Sequence, residues 1–164
     1  MAVSMLEPAG SFPAAGLGRR LASAFYDMWL CLALMMTLTL IYQQGILRLI
    51  YGSEALKTLS DAGALDRDPI LSLILLAGLL GFFGLFWSKK GQTLGMQVWR
   101  VRLQQPDGRS ISLRQALIRF VVAVPAWLCG GLGIIWIFFD AKSRSWQDIA
   151  SGTQLVTLPK GTFK

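Results

Sequence analysis

RLASAFYDMWLCLALMMTLTLIY, Arg20 to Tyr42, is the stretch that decides what kind of chain this is. It is long enough to cross a bilayer, for which about 20 apolar residues suffice. It also carries an ionised group, Asp27, in its first half. A carboxylate at the centre of such a segment costs about 2.5–3.5 kcal/mol unless it is partnered or meets water. Arg20 lies seven residues earlier. At 3.6 residues per turn it falls on nearly the same face, about 10 Å along the axis. The spacing therefore predicts one polar stripe, with Arg20 near the membrane surface and Asp27 two turns deeper.

Two further apolar runs follow, at about 69–87 and 117–139, the first span being taken as 21–42. With 54% hydrophobic and only 15% charged residues among 164, the chain is too apolar for an ordinary soluble domain. The net charge of +7 comes from basic residues beside the apolar runs, where they report membrane orientation and contact with anionic lipid. No nucleic-acid-binding signature accompanies them, so nucleic acid is not an expected partner. There is no histidine, which removes imidazole nucleophile, zinc and proton-shuttle chemistry together. Cys31 and Cys129 are far apart in apolar runs and read as packed small residues. No enzyme, cofactor or metal is expected.

Residues 1–18, with Pro8 and Pro13, read as a flexible amino-terminal arm, and 19–164 as one membrane domain. In the 43–68 loop, Arg48, Lys57 and Arg67 face Glu54, Asp61, Asp66 and Asp68. Its early part, with Ile46, Leu49 and Ile50, reads as a short helix lying along the membrane interface. Asp68-Pro69 has the form of a helix start. Gly78, Gly81 and Gly84 make a small-residue stripe suited to helix packing. Gly91-Gln92-Thr93-Leu94-Gly95 lacks the lysine and spacing of a phosphate loop and reads as a tight turn.

Residues 97–104 alternate like a strand, Pro106-Asp107-Gly108 supplies a turn, and 110–112 could return, making a small cytoplasmic β-hairpin. The tail, 153–158, also has strand character and could pair with 97–103. Ser112 and Gln115 form a capping box for the next helix.

The third run contains Pro125 and a Gly130-Gly131-x-Gly133 cluster. Arg19 and Arg20 place the amino terminus in the cytoplasm, and the basic 88–116 loop belongs there too. A full third crossing would leave Lys142, Arg144, Lys160 and Lys164 outside, against the positive-inside tendency. A break between Pro125 and Gly133 keeps both ends of the run inside. The fold class expected is thus all-α integral membrane, with three hydrophobic segments, the third crossing once or broken and re-entrant.

The blocks RRLASAFYD, KKGQTLGMQVWRVRL, SLRQALIRF and SWQDIASGTQLV, in that order, resemble the RDD family of small bacterial membrane proteins, over about Arg19 to Val156. Carried over by position, the family's arginine is Arg20, with Arg19 the alternative, and its two aspartates are Asp27 and Asp148. The residue before the second aspartate, often histidine in that family, is Gln147 here. The resemblance implies a small multi-span helical protein of the inner membrane whose activity is loosely defined, with transport of ions or small ligands suspected.

The candidate ion-binding or transport residues are then Arg20, Asp27, Asp148, Asp140 and Arg119. Asp27 either exchanges a proton or monovalent cation, or pairs with Arg20 or Arg119 as an interhelical lock. Asp140 and Asp148 flank Lys142 and Arg144 and form either a cation-attracting mouth or local ion pairs. Two or three spans enclose little interior, so a homo-oligomer in the lipid bilayer is expected. The rival to transport is a membrane module whose basic face binds a partner protein or anionic lipid.

Overall fold

The computed structural model describes residues 3–65 and 67–161. Asp66 and Lys164, counted above among the loop and tail charges, lie outside them. The chain divides into two compact units. One comprises the chain up to Met28 together with everything from Phe82 onward, and the other is Trp29–Gly81.

The opening stretch is the first part of helix α1, Leu17–Tyr51, which is 35 residues long and does not stop at Tyr42. Nothing breaks it before Gly52, whose φ of +81° turns the chain into α2, Ser53–Asp61. Between Ile41 and Leu47 the helix widens into π turns, which rotate the faces that follow. Tyr42 and Leu47 therefore point inward and meet Leu56 of α2, with Leu65, Leu71 and Ile74 around them. Ile46, Leu49 and Ile50, expected to mark the apolar face, are exposed. Helix α3, Pro69–Lys89, starts where Asp68-Pro69 placed it. Asp68 Oδ1 accepts from the amides of Ile70 (2.8 Å) and Leu71 (3.3 Å), and the Tyr42 hydroxyl donates to Oδ2 at 2.7 Å. That hydroxyl bond, ahead of the two amides, holds Asp68 below the usual carboxylate range. The glycine stripe works unevenly: a Cβ on Gly78 would strike Leu38, whereas Gly81 faces open space.

In the other unit, the chain turns just after α3 at Gly91, which has φ +67° and accepts from the Leu103 amide at 2.7 Å. A side chain there would run into the Leu103 carbonyl, so the expected tight turn requires glycine. Helix α4, Leu94–Val98, is capped by Thr93, and strand β1 begins only at Val101 (Val101–Gln104). Its partner is β2, Gln154–Thr157, antiparallel with Val101 opposite Thr157 and Gln104 opposite Gln154. The expected hairpin is therefore corrected. Pro106-Asp107-Gly108 does turn, with Gly108 N–H donating to Gln105 O, but Ser110 bonds the amino-terminal arm instead of forming a return strand. Ser110 N–H donates to Ser4 O at 2.8 Å, and Ser4 N–H to Ser110 Oγ at 3.1 Å. The arm is tied along its length: Ala14 bridges Val156, Thr157 N–H donates to Pro13 O, and buried Arg102 donates to Pro8 O. Ala15, Trp87, Met96, Val101, Leu103, Ile111 and Ala116 form the core beneath.

Helix α5, Leu113–Leu128, opens on the predicted capping box and runs through Pro125. The break comes later, at Gly130 and Gly131 with φ +66° and +79°, before α6, Leu132–Ile135, and its 3-10 extension to Phe138. The two pieces are bent by 109°. Helix α7, Trp146–Ser151, ends at left-handed Gly152. Helices α1 and α3 are each long and apolar enough to cross a membrane, and the bent α5–α6 pair is a third candidate.

Candidate functional site

Arg20, Ser23 and Asp27 are the buried residues of α1 between Leu17 and Leu40, at intervals that keep them on one face, as the seven-residue spacing required. The two charged residues nevertheless belong to different constellations, both built within the unit that includes the chain's two ends.

The first gathers Arg20, Arg119 and Asp148, from α1, α5 and α7. Asp148 Oδ2 accepts from Arg20 Nη1 at 2.6 Å and from the Ser145 amide at 2.9 Å, so it caps α7 and binds an arginine at once. Its Oδ1 accepts from Arg119 Nη1 in a short ion pair. Arg20 spends its remaining donors on Ala15 O (Nε, 2.8 Å) and Ser143 O (Nη2, 3.0 Å). Arg119 Nη1 also reaches Thr153 Oγ1 at 3.1 Å, which in turn lies 2.7 Å from Ser151 Oγ. All three charged side chains are almost wholly buried. Burial by itself pushes the Asp148 carboxyl up, but the guanidiniums of Arg119 and Arg20, with the bonds from Arg20 and Ser145, outweigh it and hold the group at about 2. Such a carboxylate is fixed in its ionised form at any physiological pH.

The second constellation is Asp27 alone with neutral donors. Thr93 Oγ1 donates to Asp27 Oδ2, and the Gly95 amide donates to Oδ1 at 3.0 Å. Among the described residues no arginine or lysine pairs with it. Neither Arg20 nor Arg119, its two expected partners, is bonded to it. Gly95 is obligatory for this fit: a Cβ there would come within 2.6 Å of Ser23 O and 2.8 Å of Asp27 Oδ1. Thr93 is fully buried and also accepts from the Met96 amide, so its hydroxyl is fixed toward the carboxylate.

Asp140 joins neither group. It takes a two-pronged bond from Arg144, Nε to Oδ2 at 3.0 Å and Nη2 to Oδ1 at 2.9 Å, plus the amides of Lys142 and Arg144. The Arg144 side chain, then its amide, holds Asp140 far below the ordinary carboxylate range. This is the local ion-pair alternative for Asp140, realised in a turn.

The model of the RDD family matches residues 14–152, most of the chain. The chain belongs to the RDD family. No curated protein and no solved structure matches it.

With the RDD blocks placed on the fold, the family's arginine at Arg20 and second aspartate at Asp148 meet, and its first aspartate at Asp27 stands apart. Gln147, next to Asp148, is buried, and its Oε1 has no hydrogen-bond partner among the described residues. The RDD sequence pattern did not single out Thr93, Gly95, Ser145 or Thr153 as site residues. Thr93 and Gly95 were visible only as part of a turn, and Thr153 only as the start of the strand-like tail. Their common signal was small polar residues and glycines beside apolar runs, which sequence alone reads as punctuation.

Proposed function

We propose that this RDD protein is a polytopic protein of the bacterial inner membrane that exchanges a proton for a monovalent cation at Asp27. The observation that carries the reading is a buried carboxylate within a bilayer-length helix, bonded by a hydroxyl and an amide but paired with no cationic side chain. Neutral donors orient a carboxylate without cancelling its charge, and a charge at that depth needs a counterion. A proton or a desolvated monovalent cation meets that need reversibly, whereas a fixed arginine would end the exchange. The Arg20–Asp148–Arg119 cluster has the opposite character. Its carboxylate is spent on two arginines and a helix cap, so it serves as the lock that joins α1, α5 and α7.

The outward side chains of α1, among them Phe25, Met28, Leu32 and Met36, form an apolar surface suited to lipid and not to water. The amino terminus and the basic 88–116 segment are assigned to the cytoplasm by their arginines and lysines. The bent α5–α6 pair then returns to the side it entered from, and a homo-oligomer supplies the enclosed path that one chain lacks.

A second reading, a membrane module with no flux, draws support from that same lock, in which part of the polar pattern serves to join helices. The two readings separate in proteoliposomes loaded with a pH-sensitive dye. Under transport, imposed sodium, potassium or lithium gradients drive proton flux in wild type, Asp27→Glu keeps part of it, and folded Asp27→Asn has none. Silence from well-folded wild type with all three cations leaves the module.

A further inference from the structure

We propose a second, separate site in this protein: a small singly charged anion, or the singly charged phosphate of a lipid headgroup, binds between Arg119 and Trp87. Charge comes first: Arg20 and Arg119 share the carboxylate of Asp148, and among the described residues neither pairs with another carboxylate. A buried cluster of two guanidiniums and one carboxylate holds one unit of positive charge in excess, and unpaired buried charge is costly.

Hydrogen-bond supply points the same way. Arg20 commits all three of its nitrogens. Arg119 donates through Nη1 alone, leaving Nε and Nη2 with no partner among the described residues. Close by, the indole N–H of Trp87, a residue that is 9% exposed, also has no acceptor. Buried indole N–H groups are normally bonded, and leaving one unpaired costs the full desolvation of that donor. The Arg119 guanidinium lies over the Trp87 ring, 5.5 Å from its centre. The proposed anion sits at the margin of this stack and accepts from the Trp87 indole N–H and the Arg119 guanidinium. The same ion supplies the missing negative charge. Among the described residues no carboxylate other than Asp148 pairs with Arg119, which leaves the compensating charge to the proposed anion.

The test uses the full-length protein in non-ionic detergent, with thermal unfolding followed at constant sodium while gluconate is replaced by chloride or nitrate. In parallel, phosphatidylglycerol or phosphatidylcholine is added in gluconate. Wild type is expected to gain a saturable rise in midpoint with chloride or nitrate, or with phosphatidylglycerol but not phosphatidylcholine. The first result identifies a free ion as the ligand and the second a lipid phosphate. Trp87→Phe keeps the ring under Arg119 but removes the N–H. Losing one such bond is expected to raise the half-saturating concentration about fivefold to tenfold. Iodide gives an independent readout, a saturable quenching of tryptophan emission that Trp87→Phe lacks. A wild-type midpoint indifferent to every anion and lipid tried overturns the proposal, whether or not the variant folds. So does a Trp87→Phe protein that saturates at the wild-type concentration.

Discussion

Replacing Asp148 by Asn should cripple the fold and not merely tune an activity. The amide can still accept from the Ser145 N–H, so α7 keeps its cap. The other half of the side chain becomes an NH2 group facing a guanidinium, and two buried arginines lose their shared counter-charge. The proton-linked part of the loss follows from Asp148 lying at about 2 instead of its ordinary 3.8, which is worth roughly 2 kcal/mol. Leaving buried charges without their partner brings the total to about 3–5 kcal/mol. For a chain of this size each kcal/mol moves the midpoint by about 2–4 °C, so a drop of about 6–20 °C is expected. Heating detergent-solubilised protein and measuring the monodisperse fraction by size exclusion reads that drop directly. Adding Arg119→Met to Asp148→Asn should restore part of it, because the double variant no longer buries one of the stranded charges. An Asp148→Asn protein that melts within about 2 °C of wild type would refute the lock, since that shift is worth at most about 1 kcal/mol.

Acid should act on the same group. Its folded value lies below its unfolded one, so the stabilisation is complete above about 4 and is lost as the pH falls through about 2; melting curves in acid should show this loss in wild type and a smaller one in Asp148→Asn. Gly95→Ala drives a methyl into Ser23 O and Asp27 Oδ1. It should cost about 1–3 kcal/mol and abolish cation-driven proton flux even in the fraction that folds. Gly133→Ala meets Ala126 and Trp146 across the bend between α5 and α6, so a comparable loss of stability is expected there, measured by the same melting assay.

Much of the architecture was legible because membrane solvation leaves loud marks. The three apolar runs, the Asp68-Pro69 start, the Ser112–Gln115 box and the glycine break after Pro125 appear as the residues suggested, although α1 runs on past Tyr42 to Tyr51. What sequence could not supply was pairing at a distance. Residues 110–112 look as fit to be a strand as 154–157, and only the arm's claim on Ser110 decides between them. The π turns at Ile41–Leu47 likewise left no mark in the pattern, and they turned Leu47 inward and Leu49 outward. The polar residues show the same limit. The seven-residue spacing correctly put Arg20 and Asp27 on one face, but a face is not a site. Arg20 turns to Asp148, 128 residues away in sequence, while Asp27 finds Thr93 and Gly95.

The exchange itself can be seen without any membrane. If Asp27 holds either a proton or a cation, adding sodium, potassium or lithium to weakly buffered protein in detergent must release protons, read by a pH-sensitive dye. Wild type should release up to one proton per chain in a saturable way at some pH across the neutral range, and folded Asp27→Asn none. Proton release that persists unchanged in Asp27→Asn, or a folded wild type that releases none with any of the three cations, would contradict the assignment of exchange to Asp27.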